Sequence, residues 1–351
     1  MSELSALFSL LRAFSSHYTA SERVDAAAVL ALAPPAADER GEGGASMMWE
    51  ECAPPDAARL AALSARITAT GPPKSPFWAA RIIACSARSW DAFYGRHEDR
   101  FFLPRNYVER DFPALLRAAG APFSLLEFGC GTGACLLPLL ARLPRLLATG
   151  FDLSARAVAL AVAGAAGAGV GDRLCAFPCD ATAGGARGIA AAVAAAHGAR
   201  VPGAPPLLAP GARGFDAALL LFMLSAVPPE AHRGVVRAAA ECLRPGGLLL
   251  LRDYGEGDEA QGRFGAGARL TERGDVMVRR DGTLAAFLSL AALRAHAAAA
   301  GLEETGWAAA GGGGGGSRYL HRRYRNRATG EELQRVFVHA VWRKPLAGCA
   351  Q

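Results

Sequence analysis

Leu125-Leu126-Glu127-Phe128-Gly129-Cys130-Gly131-Thr132-Gly133 is the stretch that decides the fold. A short apolar run ends in three glycines spaced two apart, and Ala134–Leu143 follows with helical spacing. A strand, a tight turn and a helix start in that order form the first unit of a nucleotide-binding βαβ fold. The glycines permit positive φ and admit a ligand to the backbone where a side chain would collide. The spacing is Gly-x-Gly-x-Gly, not the Gly-x-Gly-x-x-Gly of dinucleotide sites, and no Gly-Lys-Ser/Thr follows, which excludes a P-loop. With Glu127 just ahead of the first glycine, the pattern points to S-adenosylmethionine rather than NAD or ATP.

Further βα units extend downstream. Leu146–Phe151 reads as a second strand ending at Asp152, with Ser154–Ala166 as its helix. Arg173–Pro178 is a third strand ending at Asp180, and Phe215–Phe222 a fourth. Pro229–Leu243 is a helix stopped by Arg244-Pro245-Gly246-Gly247, and Leu248–Arg252 a fifth strand that ends at Asp253-Tyr254. Leu284–Ala300 is expected as one helix, Leu302–Trp307 as a strand and Arg335–Trp342 as a final edge strand. Alternating strands and helices with buried-looking strands predict a Rossmann-like, doubly wound α/β sheet. It is mainly parallel with an antiparallel edge strand, preceded by an N-terminal helical extension. Residues 1–74 are expected to be partly disordered with short helices such as Asp56–Thr68, and 75–120 to form a helical, aromatic and basic lead-in. Residues 121–345 form the main domain, with flexible insertions at 181–214 and 308–317.

Composition narrows the partners. The chain has 351 residues, 52% of them hydrophobic and 20% charged, which describes a globular protein. Of 38 Lys+Arg only Lys74 and Lys344 are lysine, and the net charge of +6 permits a polyanionic partner without demanding one. No apolar run is long enough to span a membrane. The eight cysteines form no Cys-x-x-Cys pair and have no His at zinc-site spacing, so a reducing compartment and no metal are expected. We expect a cytoplasmic protein, with organellar targeting through Met1–Tyr18 as the alternative.

Ligands of such sheets bind beyond the carboxyl ends of the strands. Asp152 stands where an acid accepts both ribose hydroxyls. Asp180 can accept the exocyclic amine of adenine, and the backbone N–H of Ala181 can meet a ring nitrogen. The helix start after Gly133 can hold the methionine carboxylate. Two tempting signals fall away. Val227-Pro228-Pro229-Glu230 lacks the acid and the aromatic of an amino-methylase box, and Pro178-Cys179 sits on the wrong strand for a cytosine-C5 nucleophile.

With these positions placed, the chain resembles the class I S-adenosylmethionine-dependent tRNA 3-methylcytidine methyltransferases. The specific stretches are Ser75-Pro76-Phe77-Trp78, Trp90-Asp91-Ala92-Phe93-Tyr94, Arg100-Phe101-Phe102, Arg110-Asp111-Phe112-Pro113, Arg252-Asp253-Tyr254-Gly255 and Arg279-Arg280-Asp281-Gly282-Thr283. The glycine loop and Pro245-Gly246-Gly247 are general to class I methyltransferases. The resemblance implies methylation at N3 of a cytidine in the tRNA anticodon loop, commonly position 32. It also implies cofactor contacts at Trp90, Tyr94, Gly129, Asp152, Asp180, Ala181 and Leu221, and Gly131 of the glycine loop is expected to join them. The family's usual Phe-Phe-Lys-Asp-Arg is here Phe101-Phe102-Leu103-Pro104-Arg105, which loses a charge expected to meet RNA.

N3 of cytosine is a neutral lone-pair nucleophile, and alignment supplies most of its catalysis. The product is a cation, so an acid beside the base should stabilise the transition state. Asp253, at the end of the fifth strand, is the expected catalytic residue. From Ser317 to Pro345 there are eight Lys/Arg against two acids, with Tyr319 and Tyr324 interleaved. Arg318, Arg322, Arg323, Arg325 and Arg327 are expected to bind RNA phosphates, together with Arg105, Arg279 and Arg280. The partner is tRNA, with an aminoacyl-tRNA synthetase or another helper protein as a further partner. The alternatives are a class I methyltransferase acting on another RNA, a protein or a small molecule, and a non-catalytic RNA-binding scaffold.

Overall fold

The computed structural model describes residues 47–198, 214–305, 316–326 and 332–346. The strands, in chain order, are β1 (Met47–Glu51), β2 (Phe123–Phe128), β3 (Leu146–Asp152), β4 (Leu174–Pro178), β5 (Phe215–Leu221) and β6 (Leu243–Tyr254). They continue with β7 (Val276–Val278), β8 (Leu284–Ala286), β9 (Glu303–Glu304), β10 (Ser317–Asn326) and β11 (Glu332–Arg343). The main sheet runs β1-β10-β11-β6-β5-β2-β3-β4, with β9 paired to β11, while β7 and β8 form a separate hairpin. From β6 to β4 every pairing is parallel, and β11, β10 and β1 add antiparallel strands.

The sequence pattern explains this arrangement. All six residues of β2 are buried, as in a parallel strand covered on both faces. Alternate residues serve different layers: Leu126 and Phe128 join one apolar cluster with Val235, Ile189 and Leu293. Phe123 and Leu125 join the other with Leu115, Leu139 and Leu140. That is the two-residue period of a strand. The chain leaves β2 for β3 and β4 on one side and then crosses to β5 and β6 on the other. The switch point therefore opens at the carboxyl ends of β2 and β5, where a ligand crevice belongs.

Several sequence expectations change. Leu284–Ala300 is not one helix: Leu284–Ala286 pair with Val276–Val278, and Ser289 then caps the helix Leu290–Ala299. All three β8 residues are buried, so hairpin burial outweighs their helix propensity. The final strand lies inside the sheet, because β10 and β1 continue the sheet beyond it. Of Leu302–Trp307 only Glu303–Glu304 pairs as strand. Residues 47–74 pack on the domain, as Leu63 and Ile67 of the helix Ala57–Ala69 share a buried cluster with Met277, Ala285 and Phe287. The insertion after β4 carries the helix Gly185–Gly198. The expected disorder of residues 1–46, the loose loop at 199–213 and the glycine run at 311–315 lie outside the described residues.

Candidate active site

The glycine loop bends as the sequence requires, with Gly129 and Gly131 at φ of 68° and 53°. A Cβ on Gly131 would stand 2.8 Å from the Tyr94 hydroxyl, so only glycine lets that ring close over the loop. Asp152 ties the loop down. Its Oδ2 accepts from the Gly131 N–H and its Oδ1 from the Ser154 N–H, each at 2.9 Å. The helix behind the loop starts at Leu136, later than its sequence suggests.

The lead-in supplies the second wall. Trp90 and Tyr94 lie one turn apart on the helix Ser86–His97, with ring centroids at 5.9 Å, and Phe93 packs between them and Phe101. Asp91 pins this helix to the domain by accepting from the Ser154 hydroxyl at 2.7 Å. Two buried ion pairs fasten the following segment: Asp111 with Arg252, and Glu109 with Arg142. Arg252 also lies over Tyr107 and Phe337, each at 4.9 Å. Buried pairs of this kind specify position more than they stabilise, yet losing one partner is costly.

Together these walls enclose a cavity of about 490 Å³, within the size range of small-molecule sites. Trp90, Tyr94, Gly129, Gly131, Asp152, Asp180, Ala181 and Leu221 all line it. Asp180 is the most open of these acids, with its Oδ1 accepting from the Thr182 N–H and hydroxyl.

Two charged residues give the cavity its chemistry. Glu127 is buried, and its Oε2 has no hydrogen-bond partner. Burial pushes its carboxyl up to about 8, with Arg105 pulling in the other direction. Arg105, expected at RNA, instead lines this cavity and lies 4.6 Å over the Phe222 ring, donating to the Tyr107 hydroxyl at 3.1 Å. Glu127 lies within electrostatic reach of it. A zwitterionic amino-acid end would meet both groups, its ammonium at Glu127 and its carboxylate at Arg105. That orphaned acceptor is the feature an S-adenosylmethionine ammonium fits.

Asp253, the expected catalytic residue, sits outside the cavity lining. It is buried; its Oδ2 accepts from the Ser225 N–H at 2.9 Å and its Oδ1 from the Tyr254 N–H at 2.8 Å. The antiparallel neighbour β11 pairs Val338 against it. Asp253 is therefore a positioning residue for the turn Leu224–Ala226, which His232 Nε2 holds from the other side at 2.9 Å from the Leu224 and Val227 carbonyl oxygens. Burial raises its carboxyl to about 6, offset by those hydrogen bonds.

Sequence reasoning missed two features. Phe222 has φ of 54°, a strained value for a side chain of its size, and it stands in the cavity wall. The tip of the β7–β8 hairpin brings Arg279, Asp281 and Thr283 into the same wall. The Asp281-Gly282 dipeptide was the available hairpin signal.

Of the expected RNA contacts, Arg280, Arg323 and Arg325 are exposed and Arg322 is half-buried. Arg279 sits in the cavity rim, donating to the Leu284 carbonyl. Arg323 pairs across the sheet edge with Glu50 at 3.1 Å, and Arg325 with Glu332 at 3.0 Å. Exposed pairs of this kind contribute little to stability. Arg318 is exposed on the same strand, and Arg327 lies outside the described residues. Among the described residues no group of His, Cys, Asp or Glu is placed to hold a metal ion, and no helix is long and apolar enough to cross a membrane.

Known proteins resemble this chain over most of its length. A methyltransferase-domain family model matches residues 96–305. The chain is 33% identical over 266 residues to the Drosophila melanogaster tRNA N(3)-methylcytidine methyltransferase Mettl2, covering 73% of this chain and 71% of that one. It is 33% identical over 261 residues to the Mus musculus tRNA N(3)-cytidine methyltransferase METTL6, covering 74% and 80%. The Schizosaccharomyces pombe tRNA N(3)-methylcytidine methyltransferase trm141 is 29% identical over 274 residues, covering 77% and 97%.

Proposed function

The chain belongs to the tRNA N(3)-methylcytidine methyltransferase family, and from that premise we propose that it methylates N3 of a cytidine in the tRNA anticodon loop, at position 32. S-adenosylmethionine supplies, when bound, an electrophilic methyl group on a sulfonium. The observation that carries the reading is the cavity itself. Its floor offers a buried, unpartnered Glu127 oxygen, and its walls bring Trp90 and Tyr94 against the glycine loop.

Each residue has a task. Glu127 and Arg105 receive the amino-acid end, Asp152 the ribose hydroxyls, and Asp180 with the Ala181 N–H the adenine edge, while Leu221 covers the ring. Trp90 and Tyr94 present aromatic faces to a cation. Cytosine N3 has its lone pair available at neutral pH, so no side chain has to remove a proton, and the chain's contribution is alignment and exclusion of water. The target atom lies on the Watson–Crick edge, so the base must leave its stack to enter the cavity. Arg280, Arg318, Arg322, Arg323 and Arg325 are the phosphate contacts in this reading. A helper protein such as an aminoacyl-tRNA synthetase and a cytoplasmic location belong to it as well; both rest on the sequence.

The test uses the full chain with S-adenosylmethionine and an unmodified tRNA anticodon stem-loop. The reading expects reverse transcription of the product to arrest at one loop cytidine. Full read-through, or an arrest outside the loop, would remove the position assignment.

A further inference from the structure

Four carboxylates line the cavity: Glu127, Asp152, Asp180 and Asp281. Three belong to the strand ends around the glycine loop. Glu127 is buried in the floor near Arg105. Both oxygens of Asp152 hold the loop through Gly131 and Ser154, and Asp180 closes the turn after β4 through Thr182. Asp281 alone comes from the other wall, the tip of the β7–β8 hairpin, and it is half-buried.

Its setting is built. Oδ1 accepts from the Thr283 N–H at 2.9 Å and the Thr283 hydroxyl at 2.7 Å, which fixes the carboxylate's direction and leaves Oδ2 without a protein donor among the described residues. The next residue, Gly282, has φ of 86°, and a Cβ there would stand 2.7 Å from the Ser89 hydroxyl. The hairpin tip is thereby seated against the helix turn that carries Trp90. The Arg279 guanidinium braces the tip from within through the Leu284 carbonyl and, at 3.4 Å, the Thr283 hydroxyl.

We propose that Asp281 is the carboxylate that receives the target cytosine, accepting from its exocyclic amine and facing the positive charge that methylation puts on the ring. The inference rests on the methyl-transfer reading above and fills the role that Asp253, shut out of the cavity, does not perform. In the step, the N3 lone pair forms the new N–C bond while the electrons of the breaking S–C bond return to sulfur. The unit positive charge moves from sulfur to the base, and no proton moves. A fixed carboxylate beside the amine strengthens its hold as that charge develops, which is the condition for accelerating the reaction. It also favours cytosine over uracil, whose corresponding carbonyl oxygen would face it acceptor to acceptor.

Asp281→Asn separates charge from shape, since an amide oxygen can still accept from Thr283. In single-turnover assays on the anticodon stem-loop, D281N should lose about 100-fold in rate. Its affinity for S-adenosylhomocysteine should stay within about twofold of the wild type, because none of the donor contacts uses Asp281. D281E, which restores the charge on a longer arm, should recover part of the rate. A second readout needs no turnover. With S-adenosylhomocysteine bound, the wild type should prefer a stem-loop containing cationic 3-methylcytidine to the unmodified one by about tenfold, and D281N should lose that preference. A D281N rate within threefold of the wild type, or an unchanged preference, overturns the proposal while leaving the methyl-transfer reading intact. Absence of any 3-methylcytidine from the wild type overturns both.

Discussion

If Glu127 receives an ammonium group, cofactor affinity must depend on pH in a direction the structure dictates. Burial raises the carboxyl to about 8, and its ionisable neighbours are Arg105, Cys135 and Asp152. At pH 6.5 roughly one molecule in 30 then carries an ionised Glu127, and at pH 8 about one in two. A ligand that captures only the ionised form sees its affinity scaled by that fraction. The dissociation constant of S-adenosylhomocysteine should therefore tighten about 15-fold from pH 6.5 to 8, roughly 1.6 kcal/mol. Calorimetry in buffers of different ionisation heat should record nearly one proton released per ligand at pH 6.5 and about half of one at pH 8. Glu127→Gln should bind more weakly and with little pH dependence. His97 also lines the cavity, so the slope should persist in His97→Asn if Glu127 causes it. The ligand-free protein should show the opposite trend. Its folded state holds the Glu127 proton longer than the unfolded chain, so stability is fully present below about pH 4.5 and falls as pH rises through about 8. A pH-independent affinity with no proton release would refute the role of Glu127.

Three further outcomes follow from the same geometry. Asp253→Ala leaves the Ser225 and Tyr254 N–H groups without their acceptor, at a cost of about 2–4 kcal/mol. Thermal melting should drop by about 3–7 °C and S-adenosylhomocysteine affinity should fall with it; lost turnover with affinity and melting unchanged would restore a catalytic Asp253. Asp111→Ala removes the carboxylate paired with buried Arg252 and should cost about 3–5 kcal/mol in a urea titration, with proteolysis of the lead-in appearing first. A loss below 1 kcal/mol would mean that the pair does not fasten the lead-in. Reversing Arg322, Arg323 and Arg325 to glutamate should weaken tRNA binding and lower the slope of log affinity against log salt by about 2. An unchanged slope would move the RNA to another face.

What the sequence made legible follows from local chemistry. Glycines two apart after an apolar run, and an acid ending each of the next two strands, are signals carried within a few residues, and they mark the walls of the cavity around Gly131 and Asp152. Asp253 was misleading because its burial depends on β11, whose Val338 pairs with it from 85 positions further along the chain. Nothing local to Arg252-Asp253-Tyr254 announces that cover. Arg105 read as a surface charge for a similar reason: the Phe222 ring it lies over comes from a strand end more than a hundred positions away. The split of Leu284–Ala300 is different in kind, since Asp281-Gly282 did carry a turn signal and the apolar residues after it fit strand or helix equally well.

The destination of the methyl group decides what this protein does. The full chain should be incubated with tRNA and S-adenosylmethionine carrying an isotopically labelled methyl, and the digested nucleosides resolved by mass spectrometry. The label should enter 3-methylcytidine, with the yield abolished in a Gly131→Trp protein whose added ring fills the space beneath Tyr94. Label in any other nucleoside, or none in 3-methylcytidine while the protein binds S-adenosylhomocysteine normally, would contradict it.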